Sequence, residues 1–283
     1  MFRNESGIGR VSEEVSRLDP RFRGDERGLS DAPGETARSA RPREGGDPDF
    51  AAPGRSTGAP HLQIAGIAFL ALPEGALFQP DERLLVVADL HLEKGSSYAA
   101  RRVHLPPYDT AATLARLAAL VARLAPRTIV ALGDTFHDRQ AHERIAPADR
   151  AAFLAVVRGR NFVAVAGNHD PAPFPGLVER PVAEFRLGPL VFRHEPSAGA
   201  APGEIAGHLH PAARVIGRGG SVRRRCFAGD GFRAVLPAFG AFAGGLNVRA
   251  PALAGLFDGA RFAAHVLGET RVYAVAPSRL RDG

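Results

Sequence analysis

The sequence holds almost no sulfur: one cysteine, Cys226, and one methionine, Met1, in 283 residues. A lone cysteine cannot close an internal disulfide, which suits a reducing compartment. Lysine is nearly missing too, since Lys94 is the only one among 36 basic residues. With the heavy use of Ala, Gly and Pro, that bias reads as the mark of a GC-rich genome rather than a functional demand. No apolar run reaches the roughly 18–20 residues that a membrane span needs. The first residues lack the basic-then-apolar layout of a secretory signal. The expectation is a soluble, cytoplasmic protein with no membrane partner.

What is present is enough apolar material for a sizeable core, at 45% hydrophobic residues, and a formal charge of +6. Residues 1–60 are rich in Arg, Gly, Pro, Ser and acids, with no apolar periodicity lasting a turn. They read as a disordered tail or a misassigned N-terminal extension, with one domain expected over 61–283. The tail is close to neutral, so the positive excess falls on the domain. That excess suits a phosphate backbone or simple solubility.

Order is expected to begin with an edge strand or hairpin at His61-Leu62-Gln63-Ile64. Short apolar runs with β-branched residues follow at 84–88, 128–132 and 162–166, each fitting a buried parallel strand. Between them, apolar residues at Leu117, Leu120, Val121 and Leu124 predict a helix from Asp109, as N-cap, to Leu124. A second helix is predicted over Pro147–Val157, with Pro near its first position. The β-α-β-α-β order implies parallel strands with right-handed crossovers. After residue 185, short strands punctuated by Gly and Pro predict a second, mostly antiparallel sheet.

Each parallel strand runs into metal-binding residue types. Val87-Ala88 leads to Asp89-Leu90-His91, Leu132 to Gly133-Asp134, and Val165-Ala166 to Gly167-Asn168-His169-Asp170. Ile205-Ala206 leads to Gly207-His208-Leu209-His210. Ligands in open α/β sheets gather at the carboxyl ends of strands, so these side chains should meet in space. Asp89 and His91 stand at i and i+2, which in a strand points both to one side, and His208 with His210 repeat the spacing. Asp134 offers a carboxylate able to bridge two ions, and Asn168 a neutral carbonyl oxygen. Mixed nitrogen and oxygen donors without thiolate point to Mn, Fe, Zn or Mg-like ions rather than a structural zinc site. Two such cations can share a hydroxide and neutralise the attacking and leaving oxygens of a phosphate.

With these four motifs the chain resembles the calcineurin-like metallophosphoesterase superfamily. The resemblance implies an α/β fold, a four-layer α/β/β/α sandwich with a two-metal centre between the sheets. It assigns Asp89, His91 and His210 to one metal and Asn168, His194 and His208 to the other, with Asp134 bridging. His169 matches the histidine that contacts the scissile phosphate and protonates the leaving oxygen. His194 follows the strand Leu190-Val191-Phe192-Arg193; His265, in Ala-Ala-His-Val, is a competitor for its role. More narrowly, Ala88–Lys94, Leu132–Asp138, Gly203–Pro211 and Leu236–Gly240 resemble the ligase-associated DNA-damage-response endonucleases. That implies phosphodiester cleavage in DNA repair by a two-metal-activated hydroxide. It further implies two divalent ions (manganese, with iron or zinc as alternatives) and single-stranded DNA as substrate. A DNA ligase, an exonuclease and a helicase are the implied partners.

Around this set, Lys94, Arg101 and Arg102 suit phosphate oxygens or a solvated basic loop. His137 and Asp138 suit ligand orientation, substrate contact or a plain surface loop. The Arg223-Arg224-Arg225 run suits DNA or a charge-protected strand edge. The stretch Gly240–Gly245 suits a mobile loop over the site or close packing. A phosphatase or nucleotide diesterase would share the same metal set, and a non-catalytic repair scaffold would share the fold.

Overall fold

The computed structural model describes residues 61–103, 108–217 and 220–282; the expected tail at 1–60 lies outside them. The first half builds one sheet and its helices. Its elements are β1 (His61–Ile64), β2 (Ile67–Ala71), β3 (Leu77–Gln79), β4 (Leu84–Val87), α1 (Lys94–Ala100), α2 (Asp109–Leu124), β5 (Thr128–Leu132), α3 (Ala141–Arg144), α4 (Pro147–Val157) and β6 (Asn161–Val165). The six strands lie side by side in chain order. A hairpin at β1 and β2 forms the edge, while β4, β5 and β6 run parallel.

Period-two burial sorts each parallel strand onto two faces. On β4, Leu85 and Val87 pack with Leu117, Leu120, Phe153 and Val156 of the helices. Leu84 and Val86 instead face Phe192, Ile205, Phe227 and Leu236. Those partners belong to the second sheet. Its strands are β7 (Glu184–Leu187), β8 (Leu190–Arg193), β9 (Glu204–Ala206), β10 (Pro211–Gly217), β11 (Gly220–Gly229), β12 (Ala234–Val235), β13 (Leu246–Asn247), β14 (Ala263–Leu267), β15 (Val272–Val275) and β16 (Leu280–Arg281). Most pairs in this sheet are antiparallel, with parallel joins at β8–β9, β9–β12 and β10–β13. Helices, sheet and sheet stack as the expected α/β/β/α sandwich requires. The cover on the second sheet is not α-helical among the described residues. Leu253 of a single 3-10 turn, Val248, Phe257 and Phe262 pack over Val215, Cys226 and Val266 instead.

The helix α2 has the predicted bounds, but Tyr108 rather than Asp109 stands at its cap position. Asp109 is occupied elsewhere: its carboxylate accepts the Gly95 N–H at 2.9 Å. The stop comes at Ala125, left-handed at φ 44°, just before Pro126. α4 also has the predicted bounds. The candidate ligands all lie in the turns that follow β4, β5, β6, β8 and β9.

Candidate metal centre

The turns after β4, β5 and β9 are not continuations of strand. Asp89, His91, Asp134, His208 and His210 all have positive φ, between 44° and 66°. Half of the ten non-glycine residues in that region among the described residues are therefore candidate ligands. Each such conformation costs on the order of 1–3 kcal/mol and persists only where the surroundings impose it, a pattern found at functional sites. This corrects the strand argument for Asp89 and His91. β4 ends at Val87, and alternating left-handed residues, not pleat, set the two side chains. Leu90 and Leu92, between them, go into the core beside Phe136 and α2.

Backbone bonds lock these turns together. His91 and Leu92 donate to the carbonyls of Asp134 and Thr135 at 2.9 Å, and His137 donates back to Leu92 at 2.9 Å. The His208 N–H reaches both Asp89 oxygens, at 3.2 and 3.0 Å. Asp170, to which the sequence reading gave no role, fixes the turns after β5 and β6. Its carboxylate accepts the N–H groups of Asp134 and Gly167 at 3.0 Å and of Phe136 at 3.1 Å. Burial pushes this carboxyl up to about 7, held back by the N–H donors. A carboxylate placed just after a Gly-Asn-His turn was the available signal. Gly167 allows the approach: a Cβ there would lie 2.1 Å from Asp134 Oδ1 and 2.7 Å from Asp170 Oδ1.

Two adjoining donor sets result. In the first, His210 Nε2 lies 3.3 Å from Asp89 Oδ1 and 3.3 Å from His91 Nε2. In the second, His194 Nε2 lies 2.8 Å from Asn168 Oδ1 and 3.1 Å from His208 Nδ1. Asp134 stands between: its Oδ2 is 3.9 Å from His91 Nε2 and 3.5 Å from His194 Nε2. Ligand atoms within 4.8 Å of one another make up three sets able to hold an ion: Asp89–His91–His210, His91–Asp134–His169 and Asp134–His194–His208. His265 is not among them; it sits in β14, paired with Phe227 and Ala274.

The chemistry of these donors suits cations. His194 Nδ1 donates to the Leu132 carbonyl at 2.9 Å, so its Nε2 presents a lone pair. That lone pair faces the Asn168 oxygen, which also has no proton to give. Burial holds His91 well below its ordinary value and also lowers His208, so both favour the neutral, ligating form. Burial works against charge on Asp89, but His210, His194 and His91 together bring its carboxyl below the usual range. Burial likewise lowers His210, yet Asp89 carries it above its ordinary value. Burial and the neighbouring Asp89 raise Asp134, a buried anion that two cations would stabilise. Crowded lone pairs and carboxylates in a buried pocket are the signature of a built cation site.

His169 stands at the rim with its side chain 39% exposed. Its backbone N–H donates to Asp134 Oδ1 at 3.0 Å and its Nδ1 to the His137 carbonyl at 2.8 Å. His137 is buried and stacks on His169, with centroids 5.2 Å apart. Burial, with Lys94 and His169 nearby, lowers His137 to about 4. So His137 supports His169 and His91 rather than facing solvent. Lys94 lies 5.6 Å over the Tyr98 ring, and Arg101 and Arg102 are exposed just beyond α1. Asp138 is engaged by Arg144 at 2.6 Å. Arg225 and Arg223 bond to the carbonyls of Ala238 and Gly245, so these two tie down a loop; Arg224 is exposed. Glu93, also unassigned from sequence, is buried and accepts from Thr110 and Ser96 at 3.0 and 2.7 Å.

A profile of the calcineurin-like phosphoesterases matches residues 82–224, and the chain belongs to that family. Members typically bind two divalent ions and hydrolyse phosphoesters. Among solved structures, the chain is similar to Pseudomonas putida nuclease MPE. The identity is 32%, over 76% of this chain and 100% of that one, with a TM-score of 0.58. It also aligns with Yfce, a phosphoesterase from E. coli, at 15% identity over 68% of this chain and 98% of that one, with a TM-score of 0.35. No curated protein sequence matches it. Among the described residues, no helix is long and apolar enough to cross a membrane.

Proposed function

We propose that this protein is a manganese-dependent endonuclease acting on single-stranded DNA. The observation that carries this reading is the pair of donor sets joined at Asp134, with a part-exposed histidine at the rim and Lys94 and Arg101 near its neighbour His137. Asp89, His91 and His210 would hold one ion, and Asn168, His194 and His208 the other. Bound there, two such ions would lower the pKa of water toward neutrality and would stabilise charge on the non-bridging phosphate oxygens. Asp134 keeps both donor sets in register. His169, oriented through its Nδ1 by the His137 carbonyl, delivers a proton from Nε2 to the departing oxygen. Lys94, Arg101 and Arg102 take phosphates along the strand, which fixes its position without reading bases.

One observation favours a polymer. The 32%-identical neighbour, aligned over its whole length, is a nuclease. Association with a DNA ligase, exonuclease and helicase follows from the subgroup resemblance.

Circular single-stranded DNA with added Mn²⁺ tests the reading, because a circle has no ends. Linear product from the wild type, and at least about 10³-fold less from Asp134→Ala, is expected, since both ions lose a ligand. Intact circles alongside rapid hydrolysis of a nucleotide monoester would assign the centre to a phosphatase.

A further inference from the structure

We infer that Phe242 and Tyr108 form a base-stacking subsite for an unpaired strand beside the metal centre, an inference that rests on the nucleic-acid reading above. Among the described residues, the exposed large hydrophobics are Val103, Tyr108, Ile216, Phe232, Phe242 and Leu246. Phe242 and Leu246 lie on one loop whose two ends are bonded to candidate ligands. Gly240 donates to the Asp89 carbonyl at 3.1 Å, and Leu246 to the His210 carbonyl at 3.0 Å. A Cβ on Gly240 would lie 2.5 Å from the Leu90 carbonyl oxygen, and one on Gly245 2.4 Å from that of His210. The loop is therefore pressed against the first donor set.

Three arginines clamp it from below. Arg116 bonds the Phe239 carbonyl, Arg225 those of Ala238 and Gly240, and Arg223 that of Gly245. Desolvating the guanidinium groups of Arg116 and Arg225 is costly, and here it fixes a loop whose tip still presents Phe242 at 41% exposure. A Cβ on nearby Gly244 would meet nothing within 4 Å, so the space around the tip is open. Ala241 donates to Thr113 Oγ1 at 3.0 Å, one turn along α2 from Asp109. Tyr108, at the cap position of that same helix, is 70% exposed.

The charge around these rings fits a phosphodiester chain. No Asp or Glu occurs between Glu204 and Asp230, or between Asp230 and Asp258, whereas Arg223, on the face of β11 that meets the loop, is exposed there. Asp109 is buried. Lys94 and Arg101 lie near His137, and Arg102 follows them in the chain, exposed. Exposed rings among cations suit a nucleic acid whose bases have free faces; in a duplex those faces are already stacked. A preference for unpaired strands follows from the protein surface itself.

The chain contains no tryptophan, so Phe242→Trp places its one indole at the subsite, where it can be excited apart from the three tyrosines. Titrated in chelator with a single-stranded oligonucleotide, it should be quenched, and an abasic strand of equal length should leave it unchanged. With Mn²⁺, Phe242→Ala should raise KM about tenfold on the base-bearing strand and less than twofold on the abasic one, with kcat kept and Phe242→Trp restoring KM. Equal effects on both strands, or none, would overturn the subsite while leaving strand cleavage intact. A dimer lost in Phe242→Ala with KM unchanged would also overturn it, assigning the rings to a second copy. Wild-type hydrolysis of an aryl diester, with neither strand cut or bound, would remove the nucleic-acid reading and this inference together.

Discussion

His169 has one ring nitrogen committed to the His137 carbonyl and a side chain more than a third exposed. That division suits a residue that must give a proton to something arriving from solvent. Its loss should matter in proportion to how badly the leaving group needs the proton. His169→Gln should slow cleavage of an alkyl diester by about 10²–10⁴-fold, and an aryl diester far less, in parallel steady-state assays. Equal slowing of both would contradict the acid role. At this scale much of the site was legible. Residue types and spacing gave Asp89, His91, Asp134, Asn168, His208 and His210, the family resemblance added His194, and all are brought together here. What was illegible was conformation. The left-handed turns at Asp89, His91, His208 and His210 come from tertiary backbone bonds, which a local pattern does not encode. For the same reason Asp170 looked idle: its partners are N–H groups from a turn more than thirty residues away.

At the scale of elements, the turns after β5 and β6 touch because Gly167 has no side chain. Gly167→Ala would drive a methyl into Asp134 Oδ1, which accepts the His169 N–H, and into the Asp134 backbone nitrogen, which donates to Asp170; neither can retreat without breaking its bond. Overpacking of this kind costs about 1–3 kcal/mol. The variant should fold with a lowered Tm and bind Mn²⁺ at least about tenfold more weakly in calorimetry, because the Asp134 carboxylate is displaced. Unchanged affinity would show that this contact does not set the donor geometry. The helices α2 and α4 were read from the sequence with their bounds, since a full apolar stripe and a proline at the start act locally. α1 and β14 were not. α1 carries few apolar residues, and the alternation in Ala-Ala-His-Val-Leu is broken by a histidine that burial keeps neutral. The loop at Gly240–Gly245 had two readings, and close packing against Leu90 and His210 decides for the second.

Across the whole molecule, stability rests on an inter-sheet core that runs directly beneath the donor turns. Acid should weaken it at a position remote from the candidate ligands. Burial lowers His265 to about 4, and its Nδ1 has no hydrogen-bond partner. The unfolded chain therefore takes up a proton near pH 6.5 that the folded chain refuses until about pH 4. Stability is lost as pH falls through that window, by up to about 3 kcal/mol from this residue. His265→Leu should flatten the acid limb of a denaturation-against-pH curve between those values; an unchanged limb would contradict the assignment. The two-sheet architecture was legible as a change of texture after residue 185. The irregular cover on the second sheet was not, because Val248, Leu253, Phe257 and Phe262 follow no single period.

The most direct test of the account is anomalous diffraction at the manganese edge from crystals grown with Mn²⁺. Two peaks are expected, one on either side of Asp134 and roughly 3.5–4 Å apart. One should lie among Asp89, His91 and His210, the other among Asn168, His194 and His208. A single peak, no peak, or density elsewhere on the molecule would contradict the two-ion centre on which the rest depends.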